Sequence, residues 1–461
     1  MRPREIQDQR EHRPDARHAR IAIAVILFVY VLWMRTFDVA TTFLMLGEQT
    51  RDWKIALGGL TDLPLLGAPS TAGGRGLGPA YYWTLWLGRI MVGPFMDNLP
   101  HAGGVIVALL QSIGDVWLFL ALSRRVHWGL AAATCLLVAS GPFDIAISSV
   151  IWNPPVADAF LKMAIASALS LDTPIATWQV ARTTALAWIA VQCHLSAAFP
   201  ASAIVAAVVL QSLVDRSVNG LRTFYIRAAA ALAVVLVLQV PFLISALTQP
   251  GAPAGPSAAI ANITSGRAFR PFFGLDTVTG VAGNLFLPMS DTFKFWIPSV
   301  ICGAIVIARY RRDLIVIGAS IGGILVASIV FSTWTRSYDG YWFLAMTTGL
   351  ALTFAFTIAA IPNARAVQWI GIALLAWFAS WQPSRIDSSQ RYFEYPQYGT
   401  MVRGSRALMA RAPVVRDVRV SFDVHPTMDR QFIYKTLGGR IESTARYTAT
   451  INADGSVRLD E

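Results

Sequence analysis

Glu48, Arg51 and Asp52 place three ionised side chains in one short segment, directly after an apolar run. A carboxylate at the mouth of a membrane site can take the proton of an acceptor hydroxyl as that hydroxyl attacks. Such general-base work needs a positioned carboxylate rather than a freely rotating one. Glu48 is the leading candidate. Arg51 follows three residues on, one turn away if the segment is helical. It can hold the carboxylate or neutralise a substrate phosphate, whose oxygens a guanidinium contacts two at a time. Asp52, four residues from Glu48, is a second carboxylate. Ordinary solvated loop charges are the plain alternative, and spacing alone does not remove it. A tract rich in Gly and Pro follows, and Gly78-Pro79-Ala80-Tyr81-Tyr82-Trp83 then returns to apolar sequence.

Other clusters have the residue types for substrate contact. Trp152-Asn153-Pro154-Pro155 interrupts an apolar run where proline ends helix hydrogen bonding. There Trp152 and Asn153 can stack on and bond a sugar, or serve as an interfacial Trp with a helix cap. Gln192 and His194 lie near the end of another apolar run, where polar groups are costly and functional by default; a histidine that packs helices is the alternative. Arg336, Tyr338, Asp339 and Tyr341 suit a lipid phosphate, although an aromatic belt gives much the same pattern. No P-loop or HExxH is present.

These residues are carried by a strongly apolar chain. Of 461 residues, 55% are hydrophobic and only 14% charged, and the mean hydropathy is +0.51. Apolar runs of span length recur from 21 to about 380, each near the ~20 residues a bilayer core needs. Only helices satisfy their backbone in lipid when many such runs occur. The expected fold class is therefore an all-α polytopic membrane protein of about twelve or thirteen transmembrane helices.

Spans are expected near 21–34, 78–96, 103–122, 127–151, 155–171, 183–199, 200–214, 228–247, 293–309, 313–333, 340–361 and 364–382. The 127–151 run is one long helix or two broken at Gly141-Pro142. Segment 52–60 suits a short amphipathic helix on the membrane. Three units follow: a basic N-terminus at 1–19, a transmembrane catalytic domain at 20–382 with outer loops 38–77 and 248–292, and a polar unit at 383–461. In that last unit Val418-Arg419-Val420-Ser421-Phe422-Asp423-Val424 alternates like a strand. Asp454-Gly455 signals a tight turn and 404–411 a short helix, so the unit reads as a small α/β domain outside the membrane.

The net charge is +11, but it is spread over loops and tails, which disfavours nucleic-acid binding. Six arginines precede the first span and hold the N-terminus in the cytoplasm by the positive-inside rule. No small-residue cleavage site follows that span, which reads as an uncleaved anchor. Basic connectors at 216–227 and 308–312 fit the cytoplasmic side. The loop 38–77, Trp152, His194, the 248–292 loop and the C-terminal domain then lie outside. Ser123-Arg124-Arg125-Val126-His127 falls outside in a thirteen-span count and inside if 78–96 does not cross. Cys135, Cys193 and Cys302 lie in apolar runs without CxxC spacing, so neither zinc nor a disulfide framework is indicated.

The order of these segments resembles the GT-C membrane glycosyltransferases, in particular the branch of dolichyl-phosphate-mannose protein mannosyltransferases and bacterial aminoarabinose transferases, glycosyltransferase family 39. The likeness rests on Glu48-Gln49-Thr50-Arg51, Leu63-Pro64-Leu65-Leu66-Gly67, Gly78-Pro79-Ala80-Tyr81-Tyr82, Trp152-Asn153-Pro154 and Gln192-Cys193-His194. It covers residues 20–200, the later spans only in architecture.

The resemblance implies a polyprenyl-phosphate-linked sugar donor, inverting transfer to a lipid, glycan or protein acceptor at the outer face, and a bacterial inner-membrane location with the C-terminal domain periplasmic. Glu48 falls at the family's catalytic Asp, with Asp52 assisting. Arg51, Arg336 and Tyr341 would bind the donor phosphate; Tyr81, Tyr82, Trp152, Asn153, Gln192 and His194 would bind substrate. No metal triad appears, so no obligatory metal or other cofactor is inferred. A lipid or polysaccharide transporter or flippase is the rival; it calls for inverted repeats and helices broken at mid-membrane. A scaffold displaying the C-terminal domain would leave the 48–52 cluster unexplained.

Overall fold

The computed structural model describes residues 14–69, 75–171, 175–214, 220–248, 344–360, 365–385, 397–411, 417–422, 431–442, 444–452 and 454–460. The expected spans at 293–309 and 313–333, the loop 248–292, and Arg336, Tyr338, Asp339 and Tyr341 lie outside the described residues.

The described chain is dominated by helices. In order they are α1 (Pro14–Thr36), α2 (Val39–Thr42), α3 (Gly47–Leu57), α4 (Ala80–Val92), α5 (His101–Leu122), α6 (Trp128–Ala139), α7 (Pro142–Ile147), α8 (Asn153–Leu169), α9 (Thr177–Cys193), α10 (Ala198–Val214), α11 (Gly220–Thr248), α12 (Leu344–Ala360) and α13 (Arg365–Arg385). Among the described residues, three stretches are long and apolar enough to cross a membrane: His18–Thr42, His101–Leu122 and Gly220–Thr248. α5 and α8 form the buried centre, with Val107, Leu118, Val156 and Ile165 inside. α1 and α11 line the outside, exposing Ile26, Trp33, Val237 and Leu247, as helices facing lipid do. The break at Gly141-Pro142 is present and divides α6 from α7.

The segment 78–96 departs from the expected span. α4 has 13 residues, about 20 Å at 1.5 Å per residue, short of a ~30 Å core. It lies against α3 instead: Trp86 Nε1 donates to Gly58 O at 3.2 Å, Arg89 Nη2 to Leu57 O at 3.0 Å, and Trp53 Nε1 to Asn98 O at 2.8 Å. Trp83, Leu87, Met91 and Phe95 form an outward apolar stripe. Hydropathy alone does not separate this amphipathic helix from a span. Arg125, in the basic cluster after α5, donates to Leu169 O at 3.0 Å and Leu171 O at 3.2 Å. Arg227 donates to Ile175 O at 2.6 Å. Arg125 and Arg227 thus share one face of the helix bundle, at the α8–α9 connection, and the expected connector at 308–312 lies outside the described residues.

The C-terminal unit contains α14 (Gln397–Arg411), β1 (Asp417–Phe422), α15 (Phe432–Thr436), β2 (Arg440–Ile441), β3 (Tyr447–Ile451) and β4 (Val457–Asp460). The sheet order is β2-β1-β3-β4, with β1 parallel to both neighbours and β3 antiparallel to β4. Gly455 has φ +86° in the β3–β4 turn, a conformation that favours glycine. This unit docks beside the start of α5. The buried Tyr398 hydroxyl accepts from the His101 backbone N–H at 3.2 Å and lies 2.8 Å from His101 Nδ1. Its ring meets Phe43 edge-on at 5.2 Å. Arg406 pairs with Asp97 at 2.6 Å, and Lys54 on α3 lies over the Phe432 ring at 5.1 Å.

Candidate active site

α3 forms because its apolar and polar positions separate at helical spacing. Trp53 and Ala56 are fully buried, Glu48 stands in the first turn and Lys54 in the last, each where the helix dipole favours its charge. Gly58 stops the helix in extended backbone.

At the centre of the site lies Asp52, 1% exposed. One carboxylate oxygen, Oδ1, accepts from Arg51 Nε at 2.8 Å and from the Tyr82 hydroxyl at 3.0 Å; the other accepts from the Tyr81 hydroxyl at 2.9 Å. Both tyrosines are fully buried on α4. Burial and then the Asp52 charge push both phenols up, so they remain donors. Arg51 is half-buried. Burial works against its charge, but the hydrogen bond and charge of Asp52, with a contribution from Glu48, more than offset this and raise it.

Glu48 is solvent-exposed one turn before Asp52 and makes no hydrogen bond among the described residues. The two carboxylates thus have different surroundings. Asp52 is enclosed and holds three donors, whereas Glu48 is open to an incoming molecule. The Tyr81 and Tyr82 hydroxyls face Asp52 rather than an open surface.

Of the remaining candidates, Gln192 packs on the adjoining loop. A short bridge pairs Pro69 with Arg75. Arg75, which sequence reasoning passed over inside a glycine-rich tract, donates from Nε to Gly67 O at 3.0 Å and lies close enough to lower the Tyr82 phenol. Gly78 rests on the Gln192 amide: a Cβ there would stand 2.4 Å from Gln192 Cδ. Buried Gln192 in turn donates to Leu238 O. Asn153 Nδ2 donates to Cys193 O at 3.0 Å. His194 Nδ1 lies 2.6 Å from Ser196 Oγ. Trp152 caps α8, half-buried. The Gly78-Pro79-Ala80-Tyr81-Tyr82 segment therefore joins the Asp52 cluster at one end to Gln192 at the other.

A second charged group, also passed over, lies inside the helix bundle. Arg35 on α1, Asp115 on α5, Asp144 on α7, and Asp158 and Lys162 on α8 are all buried. Only Asp158 and Lys162 share a legible spacing, i and i+4. The signal available was five charges inside apolar sequence, each expensive in a bilayer.

No family model matches the sequence, and no curated protein matches it. Solved structures are similar in fold. ArnT from Cupriavidus metallidurans in the apo state superimposes with a TM-score of 0.59 at 14% identity, covering 93% of this chain and 92% of that one. The same protein bound to undecaprenyl phosphate gives a TM-score of 0.57 at 15% identity, covering 90% and 84%. An Archaeoglobus fulgidus oligosaccharyltransferase tethered to an acceptor peptide gives 0.50 at 12% identity, covering 92% and 63%. The chain has the GT-C fold of these membrane glycosyltransferases.

Proposed function

We propose that this protein is an inverting glycosyltransferase that moves a sugar from a polyprenyl-phosphate donor to an acceptor hydroxyl at the outer, α3-bearing face of the membrane. One observation carries the reading: buried Asp52 holds Arg51, Tyr81 and Tyr82 one helical turn from the open carboxylate of Glu48, within a GT-C fold. The undecaprenyl phosphate bound in the similar ArnT structure supports the donor class.

In this mechanism the acceptor hydroxyl attacks the anomeric carbon of the donor sugar and its proton passes to Glu48. The bond from that carbon to the phosphate oxygen breaks, and polyprenyl phosphate leaves with the electron pair. Arg51 and Arg75 stabilise the charge that grows on the phosphate. Asp52 is a positioning residue: it orients Arg51 and fixes α4 on α3 through the two phenols. Arg336 and Tyr341 keep the donor-phosphate role that the resemblance implies, and Trp152, Asn153, Gln192 and His194 a role at the sugar. The lipid tail enters laterally between helices. The protein resides in the bacterial inner membrane, with the basic face cytoplasmic and the C-terminal domain periplasmic.

The test is reconstitution with a radiolabelled polyprenyl-phosphate sugar and a mixture of lipid, glycan and peptide acceptors. Release of free polyprenyl phosphate coupled to labelled acceptor is expected. Movement of intact donor across the bilayer without release would favour a flippase instead.

A further inference from the structure

The buried charges on α1, α5, α7 and α8 do not balance. Arg35 and Lys162 supply two positive charges; Asp115, Asp144 and Asp158 supply three negative ones. All five are almost fully enclosed. Lys162 is about nine residues from the start of α8 and seven from its end, roughly 14 Å and 10 Å along the axis. Asp158, one turn nearer the start of α8 than Lys162, is likewise enclosed within the bundle. An uncompensated carboxylate there costs far more than a neutral one.

Geometry selects the surplus group. Arg35 Nη2 contacts Asp115 at 2.7 Å and also pairs with Asp144. The Lys162 ammonium has three hydrogens; it donates to Gln111 Oε1 at 2.8 Å and Asp144 at 2.5 Å. Its third direction is nearer to Asp115, at 3.1 Å, than to Asp158, at 3.4 Å. Asp115 and Asp144 each meet both cations. Asp158 meets only the more distant side of one. Its Oδ2 accepts one neutral hydrogen bond, from Gln111 Nε2 at 3.2 Å, and its Oδ1 is buried with no hydrogen-bond partner; the two Asp115 oxygens also lack a hydrogen bond, but each faces a cation, Arg35 at 2.7 Å and Lys162 at 3.1 Å.

The groups that face Asp158 are Lys162 on its own helix, Asp115 and Gln111 on α5, and Asp144 on α7. α10 and α12 carry no ionisable side chain. Arg182 on α9 is held by Ser167, well along α8.

We propose that the cluster is a single intramembrane proton-binding site, with the proton carried on the Asp158 carboxyl. A proton fits better than a metal cation. A hard cation needs several oxygens at once, whereas the Asp158 carboxyl leaves one oxygen unengaged. Protonation turns Asp158 into a neutral acid and leaves two cations against two carboxylates. This site is separate from the Glu48 and Asp52 cluster and does not depend on the proposed activity.

Infrared difference spectroscopy of the full-length protein, with [4-13C]aspartate labelling and exchange into D2O, tests the proposal. The expected result is a protonated-carboxyl stretch above the amide band that shifts with label and deuterium, vanishes in Asp158→Asn and persists in Asp97→Asn, which removes an exposed acid outside the cluster. Asp158→Asn mimics the neutral acid, so it should fold and melt at the wild-type temperature or above. Asp115→Asn and Asp144→Asn each remove a carboxylate that meets both cations, whereas Asp158 reaches only Lys162, at 3.4 Å. Both variants should melt lower by about 3 °C or more. Absence of the carboxyl band in the wild type overturns the proposal. So does a band that disappears with Asp115 rather than Asp158, or an Asp158→Asn protein that fails to fold.

Discussion

Substituting Asp52 by asparagine changes one charge and almost no volume, yet it should loosen the whole α3–α4 pair. The wild-type carboxylate accepts from two buried phenols at 2.9 Å and 3.0 Å. Hydrogen bonds to a charged group contribute about 1.5–3 kcal/mol each. The Arg51 pair adds little, about 0–1 kcal/mol, because the Arg51 side chain is 38% exposed and screened by solvent. Asparagine keeps one carbonyl acceptor and loses the charge assistance, so the net loss is about 2–4 kcal/mol. For a chain of 461 residues the unfolding entropy is about 1 kcal/mol/K, which converts this to about 2–4 °C.

The assay is thermal melting of the purified protein in detergent at one scan rate, with Tyr81→Phe and Tyr82→Phe measured alone and in the Asp52→Asn background. Because each phenol acts through Asp52, the combined variants should lose less than the sum, by about 0.5–1 kcal/mol per pair. An Asp52→Asn melt that superimposes on the wild type, or strictly additive double variants, would refute the reasoning.

Two further outcomes follow from the geometry. Arg51→Lys and Arg75→Ala should each raise the KM for the lipid-linked donor about tenfold, since loss of a guanidinium–phosphate contact is worth about 1.4 kcal/mol; donor titration checks this, and unchanged KM values would remove both from the phosphate site. Tyr398→Phe removes the hydroxyl that meets His101 and leaves a buried donor unsatisfied at about 1–3 kcal/mol. Limited proteolysis should release the 397–460 region several-fold faster, and wild-type cleavage rates would count against this docking contact.

Much of the architecture was legible. Span-length apolar runs gave α5, α8, α10 and α11, and Gly141-Pro142 marked the break between α6 and α7. The alternation over 418–424 and the Asp454-Gly455 turn located β1 and the β3–β4 hairpin. The division of labour between Glu48 and Asp52 was not legible. Residues at i and i+4 share a helix face, but spacing says nothing about how far along that face a neighbour reaches. Here Tyr81 and Tyr82 cover Asp52 and stop short of Glu48. The segment 78–96 read as a span because hydropathy does not register which side of a helix is apolar. The buried ionic cluster was missed because its charges come from four helices, and no local pattern pairs Arg35 with Asp115 or Asp144.

The central claim is that the Glu48 carboxylate takes the acceptor proton. Single-turnover transfer from donor-loaded protein measures that step directly, in the wild type and in Glu48→Gln. General-base removal predicts a rate lower by about 10²–10⁴-fold, with donor binding and melting temperature unchanged because Glu48 is exposed. A Glu48→Gln protein that transfers sugar at the wild-type rate would contradict the account.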